Sequence, residues 1–206
     1  MALVKYNNNS ISAVTAAASI PSGSLVPIKT LTASSSATLS FVHGTDGVVL
    51  DSTYPIYKFE FININPSTDE VYFTFQTSVN TGSSYGVALT STYFHAYHGE
   101  GDGGGTLAYD DTMDQANGTG EQRLLYALGN ASDESASGTL QLFNPSSTTF
   151  VKHYMSNCNW YHYNNFSFNA RTAGYFNTTS AIDAIRFSIS SGNFDGTIKL
   201  YGIKDS

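Results

Sequence analysis

Cysteine is nearly missing from this chain. Cys158 is the single one in 206 residues, so no internal disulfide can staple the fold. A chain of this length can do without one, because a domain of ~200 residues buries about 70% of the surface its unfolded chain exposes. Charge is scarce as well: Asp, Glu, Lys and Arg together make 12% of the residues. Nine basic residues against sixteen acidic ones leave a formal net charge of -7, and none of the nine sits in a run. Nucleic acid is thereby excluded as the main partner, since phosphate binding needs clustered Lys and Arg. No apolar stretch approaches the ~20 residues of a bilayer span, so membrane insertion is not expected. Residues 1–24 carry no apolar signal-peptide core; residues 13–20 are too short and too broken by Ser and Thr. Amphipathic stretches rich in Leu, Glu and Lys are missing, which counts against a helical fold. No repeat of fixed period stands out, which counts against a solenoid or propeller.

What the chain has instead is hydroxyl groups. There are 27 Ser and 22 Thr, together 49 of 206 residues, with 16 Asn, 18 Gly, 14 Tyr and 13 Phe. Thr, Tyr and Phe suit a pleated surface, while Gly, Asn and Ser supply turns. Few surface charges also leave little repulsion against self-association.

From Leu25 onward the pattern reads as strand after strand. Over residues 56–64, Tyr57, Phe59 and Phe61 alternate with Lys58 and Glu60. Over residues 70–77, Val71, Phe73 and Phe75 alternate with Tyr72, Thr74 and Gln76, and the turn at residues 65–69 predicts that the two strands form a hairpin. Residues 86–98, 139–143, 148–155, 160–169, 181–190 and 194–203 are further strand candidates. Residues 121–128, Glu-Gln-Arg-Leu-Leu-Tyr-Ala-Leu, are the one predicted helix, stopped by Gly129-Asn130. About ten strands with Gly, Asn and Pro turns between them predict an all-β fold, an antiparallel β-sandwich of jelly-roll-like form. Residues 25–206 read as one domain. Residues 1–24 read either as an arm docking on a neighbour or as an edge strand with its loop.

Several constellations carry possible chemistry. Glu100, Asp102, Asp110, Asp111 and Asp114 lie in a Gly-rich stretch, residues 99–114, whose oxygens are the ligand type calcium needs, although the spacing matches no fixed calcium motif. The competing reading is a solvated surface loop. His95 and His98 fall on opposite faces of a strand and cannot share a metal by themselves; His153 and His162 flank Cys158 on separate predicted strands. Trp160, Tyr161, Tyr163 and Asn164 belong to an aromatic and amide-rich run that suits a sugar, a subunit interface, or an ordinary strand with one buried face. No Gly-x-Ser-x-Gly elbow occurs, and Gly101 to Gly105 are not followed by the Lys-Ser/Thr of a phosphate loop. No catalytic residue and no cofactor is expected.

Some segments resemble a known group. Met1-Ala-Leu-Val-Lys-Tyr-Asn-Asn-Asn-Ser-Ile-Ser12, Leu142-Phe-Asn-Pro-Ser-Ser-Thr-Thr-Phe-Val-Lys-His153, Gly174-Tyr-Phe-Asn-Thr-Thr-Ser-Ala181 and the closing Ser191-Gly-Asn-Phe-Asp-Gly-Thr-Ile-Lys-Leu-Tyr-Gly-Ile203 are similar to small virion-associated proteins of marine bacteriophages. The closing segment, read as a hairpin, also resembles the ends of tail, fibre and capsid-surface modules. The resemblance implies a non-enzymatic structural protein on the virion exterior, a tail-fibre or tail-associated module or a capsid decoration protein. It implies copies of itself as partners, a homotrimer above other oligomers, along with other virion proteins. It brings no functional residues. The alternative is a lectin-like module that binds host-surface glycans, with Trp160 as the stacking residue.

Overall fold

The computed structural model describes residues 24–204; the arm expected over residues 1–24 lies, apart from Ser24, outside them. Twelve strands follow in order: β1 (Leu25–Ser36), β2 (Thr38–Val42), β3 (Ile56–Pro66), β4 (Val71–Ser78), β5 (Leu89–Gly99), β6 (Gly105–Tyr109), β7 (Gln122–Leu128), β8 (Ala136–Phe143), β9 (Lys152–His162), β10 (Phe166–Phe176), β11 (Ala184–Ile189) and β12 (Phe194–Ile203). Every regular element among the described residues is a strand.

Eight strands wind as a jelly roll. One sheet has the order β1-β12-β3-β8 and the other β2-β11-β4-β7, with all pairs antiparallel. Consecutive strands β1/β2, β3/β4, β7/β8 and β11/β12 therefore lie in opposite sheets, and each strand bonds its counterpart from the far end of the chain. This is the double Greek key of a jelly roll. The remaining four strands extend the first sheet beyond β8 in the order β9-β10-β5-β6. A single bridge, Leu128 to His162, ties β7 to β9, so the sheet nearly closes on itself.

The expected hairpin of β3 and β4 does not form. β3 bonds β12 and β8, whereas β4 bonds β11 and β7. The closing segment is no hairpin either, since β11 and β12 lie in opposite sheets. Their turns are sheet-crossing corners that hold each other: Ser67 N–H donates to the Asn193 carbonyl at 2.8 Å, and Asn193 N–H donates to Ser67 Oγ at 3.0 Å.

The predicted helix is strand β7. Its Leu124, Leu125 and Leu128 are all buried, at a spacing that imitates one helical face. The spacing comes from irregular pairing with β4: Val71 faces Leu128, Phe73 faces Leu125 and Thr74 faces Arg123, and Ala127 takes a φ of 49°. Such a bulge places neighbouring residues on one side of a strand. Gln122 then anchors the start of β7 from inside the protein. Its Oε1 accepts from Ser91 Oγ at 2.6 Å and Tyr154 Oη at 3.1 Å, and its Nε2 donates to the Met113 carbonyl at 3.0 Å.

The predicted inward rows are inward. Tyr57, Phe59, Phe61, Phe73, Phe75, Ile185, Phe187, Ile198 and Leu200 are all buried. Phe187 sits at their centre, with ring centroids 5.3 Å from Phe59, 5.1 Å from Phe61, 6.0 Å from Phe73 and 6.3 Å from both Phe41 and Phe75. Its ring thus touches both sheets. Phe187→Ala is expected to cost about 3–5 kcal/mol, the range for emptying an aromatic site in a packed core. Urea unfolding of the two proteins measures it, and a loss below ~1 kcal/mol would contradict the central position given to this ring.

Candidate functional site

Strands β9, β10 and β5 alternate, so one face of the extension packs inward and the other faces solvent, while the edge strand β6 is exposed except for half-buried Ala108. The register lines up outward residues in rows across the strands: Asn157, Arg171, Phe94 and Tyr109; Asn159, Asn169, Ala96 and Leu107; Met155, Ala173 and Thr92. Large apolar side chains stand in these rows. Leu107 is 73% exposed, Met155 58%, Tyr109 57% and Phe94 41%, while Phe150, in the loop before β9, is 70% exposed. Beside Met155 the surface dips into a basin of about 590 Å³ lined by Phe143, His153, Tyr154, Met155, Ala173, Gly174 and Tyr175. Among the described residues β6 bonds only β5 and its other edge has no strand partner.

The same face ends differently near the β9–β10 turn. A second pocket, of about 240 Å³, is lined by Glu100, Asp133, Ser135, Asn159, Trp160, Tyr161 and Ser167. Tyr161 Oη donates to Asn165 Oδ1 at 3.2 Å. Partial desolvation and the neighbouring Glu100 carboxylate, followed by Asp133 and Glu134, raise the phenol's pKa above its usual value. Asn159 Nδ2 donates to the Phe168 carbonyl at 2.6 Å and to Ser167 Oγ at 3.2 Å. Of the aromatic run, Tyr161 therefore lines a pocket, Tyr163 is half-buried and Asn164 is exposed.

Trp160 is a different matter. It was the expected sugar-stacking residue, and it is 1% exposed. Its ring stacks on Phe168 at 5.1 Å and meets Tyr126 edge-on at 5.7 Å. The strand alternation that turns Asn159 and Tyr161 outward turns Trp160 into the core. Its contribution is packing, and no ligand can lie flat on its ring.

The carboxylates of the Gly-rich stretch do not converge as calcium ligands. Asp102 is fully exposed, 3.7 Å from His98 Nε2. Asp110 Oδ1 accepts from the Thr112 N–H and hydroxyl. Asp114 accepts from the Tyr109 hydroxyl, Asp111 is exposed, and Glu100 belongs to the polar pocket. Part of the stretch is strand β6, which separates Asp102 from the other three. Among the described residues no group of three or more His, Cys, Asp or Glu side chains could hold a metal ion. Cys158 is buried, and desolvation pushes its thiol up to about 11, far from thiolate reactivity at neutral pH.

His95 and His162 lie inward against Phe168, with centroids 5.5 Å and 4.8 Å from its ring. Desolvation lowers the pKa of both. Asp110, 3.9 Å from His95 Nδ1, opposes the shift, as Glu70 and Asp69 do for His162, without reversing it. The outward apolar residues escaped the sequence reading. Leu107 and Tyr109 lie in a stretch that reads as a loop. The irregular signal was Met155, which occupies an outward position of a strand otherwise alternating with His153, Asn157 and Asn159.

Compared with known proteins, the chain matches no family model, no curated protein sequence and no solved structure.

The two histidines set an acid limit on stability. Each is held neutral in the fold, with a pKa below the ordinary 6.5. The unfolded chain therefore takes up protons that the fold refuses. Their contribution is complete above pH 6.5 and is lost as pH falls from there towards the folded-state values. Urea midpoints measured at about pH 7.5 and about pH 5 are expected to drop in acid, and to drop less in His95→Phe, which keeps the aromatic packing and removes one titrating group. Equal drops in both proteins would contradict this assignment.

Proposed function

We propose that this chain is a non-enzymatic structural module of a bacteriophage virion exterior, either tail-associated or a capsid decoration, and that it assembles with its own copies through the outer face of the four-stranded extension. The single observation that carries the assembly is the exposed apolar group Phe94, Leu107 and Tyr109 on β5 and β6, with Met155 on β9 of the same face, which no other part of the described chain covers. Contiguous exposed apolar surface marks interaction sites, and exposed aromatic and Met side chains are the types that interfaces favour. The virion setting comes from the resemblance of the four quoted segments. The jelly roll agrees with it but does not choose it, because capsid and lectin domains share that architecture. A closed ring, with a trimer first, would bury the patch without leaving sticky ends.

Light scattering of the purified chain tests the reading. A discrete oligomer is expected, falling to a monomer in Met155→Asp/Phe94→Asp, which places two carboxylates on the face while leaving the core untouched. A wild-type monomer at all concentrations, or an oligomer indifferent to both substitutions, would remove this face as the assembly surface. The lectin-like alternative loses Trp160 as its contact residue; what remains in its favour is the polar pocket around Tyr161.

A further inference from the structure

We propose that the pocket between Glu100, Asp133 and Tyr161 is a saccharide subsite that takes one pyranose ring through its hydroxyl groups. The proposal stands apart from the assembly reading, since none of Phe94, Leu107, Tyr109 and Met155 lines the pocket. The pocket's inventory of donors and acceptors selects the ligand. Glu100 and Asp133 offer carboxylate oxygens, with Glu100 also in hydrogen-bonding reach of the Tyr161 hydroxyl, and neither belongs to any of the ion pairs among the described residues. Asn159 spends its amide hydrogens on Ser167 and Phe168, leaving Oδ1 as an acceptor. Ser167 Oγ accepts that bond and keeps its own hydrogen to donate, and Ser135 adds a second hydroxyl.

An acceptor-rich pocket needs a donor-rich ligand. Adjacent hydroxyls of a sugar ring donate to carboxylates in charge-assisted hydrogen bonds, about twice as strong as neutral ones. The Tyr161 ring gives the wall an apolar surface for the C–H side of such a ring. Size sets the upper limit: about 240 Å³ is below the ~300–1,000 Å³ of pockets for larger ligands, so the site admits one ring and the rest of a chain stays in solvent. A ligand that small binds at millimolar strength.

Trp160 supplies a secondary readout. It is the single tryptophan of the chain and adjoins this pocket from the core side, so any change in its emission on titration is a secondary signal beside the NMR readout. The full chain is titrated with a panel of methyl pyranosides (gluco, galacto, manno and N-acetylglucosamine forms) and, separately, with methylammonium chloride. Ligand-observed saturation-transfer NMR on the same panel reads binding independently of the indole. Saturable binding of at least one pyranoside is expected, weakened on the order of tenfold or more in Glu100→Gln/Asp133→Asn. Both replacements are near-isosteric at exposed positions, and the oligomer mass of that variant is expected to stay as in wild type, which keeps this test separate from that of the assembly face. No binding of any pyranoside in the panel would overturn the proposal. So would binding that is unchanged in the double variant, or binding of methylammonium alone, which would make the site one for amines.

Discussion

Aromatic contact between two sheets joined by little backbone ladder holds this molecule together. Apart from the chain's own corners, the backbone ladder of the described residues joins the sheets only through the bridge from Leu128 to His162. Cohesion must then come from side chains, and Phe187 is where it concentrates. The ring belongs to β11, yet it packs on Phe59 and Phe61 of β3 as well as on its neighbours Phe73 and Phe75 of β4. Each fully buried Phe contributes roughly 1.5–3 kcal/mol, so a cluster of six outweighs any single hydrogen bond at the corners. The packing continues through Phe75, Tyr154 and Phe176, at 5.0 and 5.5 Å between successive rings, into the extension. There a second cluster takes over, with Trp160, Phe168 and Tyr126 fixing β9 and β10 against β7.

The two outer faces are treated differently, and the contrast gives the extension its meaning. Behind β4 the outward residues Thr74 and Gln76 are buried. The chain covers them itself: Gln76 Nε2 donates to the carbonyls of Thr119 and Gly120, and Thr74 donates to Glu121, whose carboxylate also holds Arg186 at 2.9 Å. Arg186 in turn lies 4.4 Å under the Tyr85 ring. A polar face thus received a cover tied down by hydrogen bonds. The extension's outer face carries exposed Phe94, Leu107, Tyr109 and Met155 among polar neighbours, with no cover from the described chain. Large apolar side chains are costly to leave in water, and a partner relieves that cost where no loop does.

Alternation was the part of this structure that sequence displayed most clearly. The rows of β3, β4, β11 and β12 could be read directly, because a strand with one core face repeats every second residue. Pairing could not, because periodicity says which way a side chain points and nothing about which strand lies beside it. The five-residue turn after β3 looked like a hairpin for that reason, while its Ser67 in fact bonds the turn after β11, more than 120 positions away. β7 misled by its bulge, which gave Leu124, Leu125 and Leu128 a helical spacing in a strand. At the candidate site, Tyr161 was visible as part of an aromatic run, but its neighbour Trp160 was assigned the exposed role that alternation denies it. Asp133, from a Ser-rich loop before β8, had no signal linking it to Glu100, because they meet only when β8, β9, β10 and β5 lie side by side.

The two features of the outer face complement each other in space. Met155 and Tyr161 stand six residues apart on β9, about 20 Å at ~3.3 Å per residue. None of the four apolar residues lines the polar pocket. A one-ring site is weak by its size, and a weak site is of little use to a monomer that must hold a surface. In a ring of copies each subunit presents the same pocket, so the second and third engagements are intramolecular and avidity exceeds the single affinity by orders of magnitude, provided the surface offers repeated sugars at a matching span. The arrangement thus connects the two proposals without making them one. The apolar face accounts for why copies should gather, and the pocket accounts for what gathering would gain.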